Sequence, residues 1–235
     1  MPGVPMLTFH EQTGYHGASP QPDREGDPVK APADVHLIKG DLTPELFEAY
    51  AKSAYLCADT ETTGLNPHRD RLCLIQLCNE DGLTTVLQVT SYDMPLLVKL
   101  LEAERPLKLF HFARFDLAML RHHLGAKITH VYCTKVASKI ARTFSGKHGL
   151  KDLTKDLLGV ELDKSVQTSY WGADDLSPAQ LAYSANDVRY LIPLKEKLDA
   201  MLVREGRMEL ALACMQHLPT LIQLDLQGWE NLFEH

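Results

Sequence analysis

Five residues have side-chain types and spacings that suit the binding of divalent cations: Asp59, Glu61, Asp116, Tyr183 and Asp187. Asp59 and Glu61 end an apolar run at a spacing of two, which on a strand points both side chains to one face. Tyr183 and Asp187 are four residues apart, the spacing of neighbours on one face of a helix. Carboxylates that share a dry site raise one another's pKa, and cations placed between them remove that repulsion. The set therefore predicts a divalent-metal site.

Two cations held about 4 Å apart by carboxylates support phosphoryl-transfer chemistry, because one activates a water and both stabilise charge on the phosphate. Asp59, at the end of its strand, is placed to bridge the cations. Glu61 and Asp187 would complete one metal site, and Asp116 would support the second, directly or through water. Tyr183 lies one helical turn before Asp187, so its hydroxyl is expected to orient or deprotonate the attacking water.

The elements that must position these residues follow a regular pattern from Val35 onward. Asp116 comes after an apolar segment, just inside a predicted helix. Ser177-Pro178 predicts the start of the helix that carries Tyr183 and Asp187. Further strands are predicted over 54–59, 71–78, 84–89, 107–112 and near 130–132. Helices are predicted over 43–53, 94–104, 114–124, 135–144 and 150–158, with helical sequence continuing from 177 to about 212.

Strands in a meander followed by strands alternating with helices predict an α/β fold. The order of elements suits a ribonuclease-H-like mixed β-sheet flanked by helices. Residues 1–34 hold six of the thirteen prolines and few apolar residues. Such a segment buries too little surface to offset its ordering entropy, so we predict a flexible N-terminal tail over 1–34 and one domain over 35–235.

The amino-acid composition limits the kinds of partner that the protein can bind. The 235 residues include 24 Lys and Arg against 31 Asp and Glu, a formal net charge of −7. An acidic protein binds long nucleic acid poorly, because such binding rests on many contacts between basic residues and phosphates. The five cysteines form no Cys-x-x-Cys pair and predict buried, reduced thiols in the cytoplasm. No apolar stretch is long enough to span a membrane.

The five residues, in this order and on these elements, resemble the DEDD superfamily of 3′–5′ exonucleases, in its tyrosine-bearing DEDDy subgroup. Four segments resemble motifs of RNase D: Asp-Thr-Glu-Thr-Thr-Gly-Leu, Arg-Leu-Cys-Leu-Ile-Gln-Leu, His-Phe-Ala-Arg-Phe-Asp-Leu and Leu-Asp-Lys-Ser-Val-Gln-Thr-Ser-Tyr-Trp. The resemblance covers about residues 35–205. It implies metal ligation by the four carboxylates, water positioning by the tyrosine, and two divalent cations, Mg²⁺ or Mn²⁺, as cofactors.

Features near the C-terminus narrow the resemblance. Because few residues follow about residue 205, we expect none of the helical domains with which RNase D holds structured RNA. The ending Leu-Pro-Thr-Leu-Ile-Gln-Leu-Asp-Leu-Gln-Gly-Trp-Glu is similar to the nano-RNase C family. That family cuts dinucleotides into mononucleotides and forms ring-shaped homo-octamers. The apolar residues of this ending either complete the core or form a subunit interface.

Several residues around the motifs are candidates for binding the substrate: Thr60, Leu65, His111, Arg114, Phe115, Lys164, Gln167, Ser169 and Trp171. The resemblance implies that Leu65 wedges between the two bases, and the alternative is a hydrophobe that anchors its loop. Phe115 either stacks on a base or, like Phe112, packs in the core. Lys164, Gln167, Ser169 and Trp171, on a predicted polar loop between two helices, are expected to contact the phosphate or sugar of the substrate. The alternative for Lys164 is a solvated surface charge.

The expected function is therefore a metal-dependent 3′–5′ exoribonuclease that degrades very short single-stranded RNA, preferentially dinucleotides. One alternative is a broader exonuclease that trims longer RNA or single-stranded DNA. A catalytically idle nucleic-acid-binding scaffold is disfavoured, because all four carboxylates are present.

Overall fold

The computed structural model describes residues 35–163, 166, 169–229 and 232. The predicted tail over 1–34 and the candidates Lys164 and Gln167 lie outside these ranges. In the described part, one sheet contains β1 Val35–Lys39, β2 Tyr55–Thr62, β3 Leu72–Cys78, β4 Thr84–Gln88, β5 Leu107–Phe110 and β6 Val131–Cys133. The helices are α1 Pro44–Ala51, α2 Pro95–Glu102, α3 Ala113–Leu124, α4 Thr134–Ala141, α5 Leu150–Leu153, α6 Pro178–Arg189, α7 Leu191–Arg204 and α8 Met208–Leu226, with a π-helical turn over Thr154–Leu158 after α5.

The sheet is mixed, with strand order β1-β4-β3-β2-β5-β6. The three strands β2, β3 and β4 pair antiparallel as a meander. Parallel strands are added at both sides, β1 next to β4 and β5 and β6 next to β2. This arrangement confirms the predicted α/β fold and makes β2 a central strand, with neighbours on both edges.

Local sequence signals explain the two best-defined helix starts. Thr43 caps α1 by accepting a hydrogen bond from the Leu46 N–H at 3.3 Å. Ser177 and Gln180 form a capping box at the start of α6, in which each side chain bonds the other's main chain. Proline follows the cap in both helices, where its missing N–H costs no helical hydrogen bond.

Helix α6 lies across the sheet, packed on β2, β3 and β4. Beneath it is a small apolar cluster comprising Cys73, Leu74, Val86, Trp171 and Leu181. A larger cluster holds the rest of the core, including the buried faces of α3, α7 and α8. Burial of each such side chain stabilises the fold by roughly 1.5–3 kcal/mol, so the position of α6 over β2 is fixed by packing.

Two predictions about elements and one about the cysteines were incomplete. β1 was not predicted, because three of its five side chains are exposed and its hydrophobic pattern is weak. Helix α8 extends to Leu226 rather than ending near 212, with Leu218 and Ile222 buried in the core. Cys214 is exposed, whereas the other four cysteines are buried as predicted.

Among the described residues, no helix combines the length and the apolar composition needed to cross a bilayer.

Candidate active site

The carboxylates of Asp59, Glu61 and Asp187 lie together at the face of the sheet covered by α6. Their ligand oxygens are all within 4.8 Å of one another. Asp59 and Glu61 share a face because they are two residues apart on β2, as predicted. Asp187 reaches them from α6, one helical turn after Tyr183. Three of the predicted metal ligands therefore lie in one group, as their spacings on the strand and the helix predicted.

Asp116 joins the same cleft from the first turn of α3 and is buried. Its Oδ1 accepts a hydrogen bond from the Thr60 hydroxyl at 2.7 Å. Asp116 is outside the group of three, although its charge raises the pKa of both Asp59 and Glu61. Asp116 therefore lies close to the group but is held by a hydrogen-bond donor of its own.

The surroundings favour protonated carboxyl groups when no cation is bound. Burial, followed by the charges of Asp187 and Asp116, raises the pKa of Glu61 to about 9. Burial raises the pKa of Asp116 to about 7, although the hydrogen bond from Thr60 opposes the change. Burial and the neighbouring carboxylates also raise the pKa of Asp59 well above its ordinary value.

These donors fit a divalent cation of the Mg²⁺ or Mn²⁺ type. Both cations prefer hard oxygen ligands, and carboxylates supply them. The repulsion that raises the pKa of the group is removed by positive charge between the oxygens. The three clustered carboxylates and Asp116 would hold the metal.

The Tyr183 hydroxyl lies beside this group. Burial is the largest cause that raises the pKa of Tyr183, and the charge of Asp187 and a side-chain hydrogen bond to it add to the effect. The Tyr183 ring packs near Trp171, with centroids 5.9 Å apart. The phenol is thus held in place and keeps its proton.

An open cleft of about 480 Å³ surrounds the carboxylates. Six of the predicted substrate-binding residues line it: Thr60, Leu65, His111, Phe115, Ser169 and Trp171. The structure does not bring Arg114 to the cleft, because its guanidinium pairs with the Asp225 carboxylate of α8 through two contacts of 2.6 Å. Lys164 and Gln167 lie outside the described residues.

Leu65 projects from the loop after β2 and is 80% exposed, so its side chain does not anchor the loop. Asp70 fixes the loop instead by accepting hydrogen bonds from the Asn66 N–H and the Arg69 guanidinium. A Cβ on Gly64 would lie 2.4 Å from the Asp70 carboxylate, so a larger residue there would displace the side chain that fixes the loop. The exposed Leu65 is free to contact a ligand.

The two phenylalanines before Asp116 differ in placement. Phe115 is half-buried, packs against the main core and also lines the cleft. The suggestion that Phe112 packs in the core is wrong, because its side chain is 46% exposed. Phe112 has a φ of 69°, a left-handed conformation that is uncommon for a bulky residue and is often found at functional sites.

Trp171 and Ser169 approach the cleft from the segment before α6. Trp171 is 3% exposed and belongs to the apolar cluster beneath α6, so only an edge faces the cleft. Ser169 accepts a hydrogen bond from the Gln180 amide at 3.1 Å. Both residues are therefore tied to the helix that carries Asp187.

Lys135 and Lys151 also line the cleft, although no sequence motif identified them. The Lys135 ammonium lies 4.0 Å from the centroid of the Phe112 ring. Lys135 is the second residue after β6, and His111 follows β5, with its Nδ1 2.9 Å from the Thr134 hydroxyl. The tendency of ligands to bind beyond the carboxyl ends of parallel strands could have identified Lys135.

The two adjacent histidines of α3, His122 and His123, lie away from the carboxylate group. Their ring centroids are 4.9 Å apart, and the planes are nearly perpendicular. Among the described residues they take part in no cluster with metal-binding spacing.

A family model described as a 3′–5′ exonuclease matches residues 39–203, which is most of the chain. The chain belongs to this family. The predicted resemblance to DEDD exonucleases is thereby confirmed, and so is the predicted class of enzyme, a 3′–5′ exonuclease. The family match spans the four carboxylates and Tyr183.

Individual proteins that are similar to this chain support the same family assignment. Ribonuclease D of Gluconacetobacter diazotrophicus is 33% identical over 170 residues, which are 72% of this chain and 43% of that protein. The solved structure of Brucella melitensis NrnC is 45% identical, has a TM-score of 0.81 and is matched over 86% of this chain and 98% of its own. Brucella melitensis NrnC has also been solved with Mg²⁺ and with pGG. The chain spans less than half the length of the curated ribonuclease D relatives it matches.

Proposed function

We propose that this protein is a metal-dependent 3′–5′ exoribonuclease that degrades very short RNA, preferentially dinucleotides to mononucleotides. The observation that carries the proposal is the group formed by Asp59, Glu61 and Asp187, with oxygens within 4.8 Å, in an open cleft of a 3′–5′ exonuclease fold. The proposed cofactors are two divalent cations, Mg²⁺ or Mn²⁺, held by these residues and Asp116.

When bound, the cations would supply a nucleophilic hydroxide and stabilise charge on the scissile phosphate. The protein's own groups position the reactants. In the metal-free site, burial and the nearby carboxylates raise the pKa of Tyr183. Its two expected roles, orienting the attacking water or removing the proton of that water, both require the hydroxyl to lie within hydrogen-bond reach of the water.

Four features support a small substrate. The cleft volume of about 480 Å³ lies in the range of sites for small molecules. Leu65, exposed at the cleft wall, is suited to contact a base. Brucella melitensis NrnC, 46% identical in this comparison, has been solved with the dinucleotide pGG. Lys135 and Phe112, side by side in the cleft, offer a cation for phosphate and a ring for stacking.

A broader exonuclease that trims longer RNA or single-stranded DNA is the second candidate. Lys139 lies one helical turn after the cleft residue Lys135 on α4 and is exposed, so both ammonium groups lie on one side of this helix. Such a pair of positive charges suits an additional phosphate of a longer strand.

Assembly and location are part of the proposal. By the family resemblance, the protein would act in the cytoplasm as a homo-oligomer, with a ring-shaped octamer as the expected form. Exposed apolar side chains on and after α8 could supply an interface: Leu210, Leu212, Trp229 and Leu232.

A length series tests the activity. Purified protein is incubated with 5′-labelled RNAs of two to about ten nucleotides, in Mg²⁺, in Mn²⁺ and in EDTA. We expect metal-dependent release of mononucleotides, fastest from the two-mer, and a loss of about 10³-fold or more in Asp187→Ala. Asp81→Ala, an exposed carboxylate in the turn after β3, is the matched control and should keep full activity.

Equal initial rates on two-mers and seven-mers would favour the broader exonuclease. Cleavage in EDTA, or full activity of Asp187→Ala, would contradict the metal-dependent mechanism.

A further inference from the structure

Gln76 occupies the position on β3 directly opposite Asp59 in the antiparallel β2–β3 pairing. Residues directly opposite in such a pair project from the same face of the sheet, with Cβ atoms about 5 Å apart. The Gln76 side chain therefore extends toward α6, beside the carboxylate expected to bridge the cations. Gln76 also belongs to the Arg-Leu-Cys-Leu-Ile-Gln-Leu segment, to which the sequence analysis gave no chemical role.

The Gln76 amide is buried without a hydrogen-bond partner. The residue is 0% exposed, and among the described residues neither its Nε2 nor its Oε1 has a partner. A buried polar group in this condition destabilises the fold, and a methionine would fill a similar volume without that penalty. An amide at this position therefore calls for a role other than packing.

The carboxylate of Asp59 accepts few hydrogen bonds, although Asp59 is expected to be a central metal ligand. In the described part of the chain its carboxylate receives a hydrogen bond from the Thr60 main chain and from no side chain. Asp116 receives the Thr60 hydroxyl, and Asp187 bonds the Tyr183 hydroxyl. Carboxylates that ligate metals are generally oriented by hydrogen bonds from outer groups, and loss of these groups typically costs 10–100-fold in metal affinity or activity.

We propose that Gln76 is a positioning residue for Asp59, whose amide NH₂ donates a hydrogen bond to the Asp59 carboxylate when the site holds divalent cations. The inference rests on the metal site of the proposed function. Gln76 would fix the direction in which Asp59 presents its oxygens to the cations. It would not touch the substrate.

The substitution Gln76→Met separates positioning from packing. Metal-free Gln76→Met should melt at the same temperature as the wild type or higher, because the unpartnered amide is gone. Its rise in melting temperature on adding Mg²⁺ should shrink, since ligand binding to the folded state is what produces that rise. The Mg²⁺ concentration for half-maximal cleavage should increase about 10–100-fold, with KM for the dinucleotide unchanged.

Two further variants complete the test. Leu74→Met, also buried and directly opposite Glu61 on the same face, controls for packing and should leave the Mg²⁺ response unchanged. Gln76→Leu also removes the NH₂ donor and adds neither a charge nor a metal ligand, so it should also weaken the Mg²⁺ response. It carries the test if Gln76→Met does not fold.

A Mg²⁺ response in the Gln76 variants equal to that of the wild type would overturn the proposal. A wild-type protein that is stabilised by Mg²⁺ but does not cleave dinucleotides would refute the proposed function alone, and the melting temperatures would still decide the role of Gln76. A wild-type protein with no thermal response to Mg²⁺ would overturn the role of Gln76 together with the metal site.

Discussion

Asp116 and Glu61 keep their protons to a higher pH than ordinary carboxyl groups. Carboxyl groups of an unfolded chain ionise near pH 4. In the folded protein, burial above all raises the pKa of Asp116 to about 7 and that of Glu61 to about 9. Between about pH 4 and about pH 9, the folded state therefore binds more protons than the unfolded state. The free energy of unfolding of the metal-free protein therefore falls as the pH rises.

We expect the melting temperature of the EDTA-treated protein to decrease from about pH 5 to about pH 9. Mg²⁺ should raise it, and the increase should grow with pH, because the cation binds the ionised carboxylates. Calorimetry across this range measures both effects. Asp116→Asn removes one of the titrating groups and should give a shallower decrease, whereas Asp81→Asn in an exposed turn should not. A metal-free profile identical to the Mg²⁺-loaded profile would contradict the proposed electrostatics.

At the scale of elements, periodicity and caps predicted what short-range rules control. The spacing of two on β2 and of four on α6 correctly placed Asp59 with Glu61 and Tyr183 with Asp187. β1 was not predicted because main-chain pairing with β4 holds this strand in the sheet, and its side chains form only a weak hydrophobic pattern.

The cleft walls were less predictable than the carboxylates. Arg114 is only two residues before Asp116, yet its side chain points toward α8. There its guanidinium forms an ion pair with the carboxylate of Asp225, which is distant in sequence. Lys135 enters the cleft because β6 lies beside β5, a pairing that follows from the whole sheet. The unpartnered amide of Gln76 could not be seen from sequence, since its position opposite Asp59 depends on strand register.

The capping box of α6 connects helix stability with catalysis. Ser177→Ala removes the oxygen that accepts the Gln180 N–H and should lower the free energy of unfolding by about 1 kcal/mol. Because α6 carries Tyr183 and Asp187, we also expect kcat for the dinucleotide to fall several-fold. Thr43→Ala removes the equivalent cap from α1 and should cost similar stability with kcat unchanged. Urea denaturation and steady-state kinetics compare the two, and equal kcat values would show that the α6 cap has no influence on the site.

At the scale of the whole molecule, a formal net charge of −7 opposes the approach of any phosphate. Attraction must come from groups close to the bound ligand, because charges are screened over about 10 Å at moderate salt. Among the described residues that line the cleft, the basic ones are Lys135 and Lys151, besides His111. The bound cations would add to them. The charge distribution therefore favours a substrate with few phosphates.

With so few positive charges near the carboxylates, we expect dinucleotide cleavage to depend only weakly on salt. With saturating Mg²⁺ held constant, the slope of log kcat/KM against log[KCl] should lie between zero and about −2, because a single strand contributes about −0.7 per phosphate contact. Lys135→Ala should lower kcat/KM and bring the slope closer to zero, or make it positive, since added salt then mainly screens the repulsion by the net charge. Lys52→Ala, exposed after α1 and outside the cleft, is the control and should change neither quantity. A slope of about −5 or steeper would indicate many phosphate contacts, and the broader exonuclease would then be the better description.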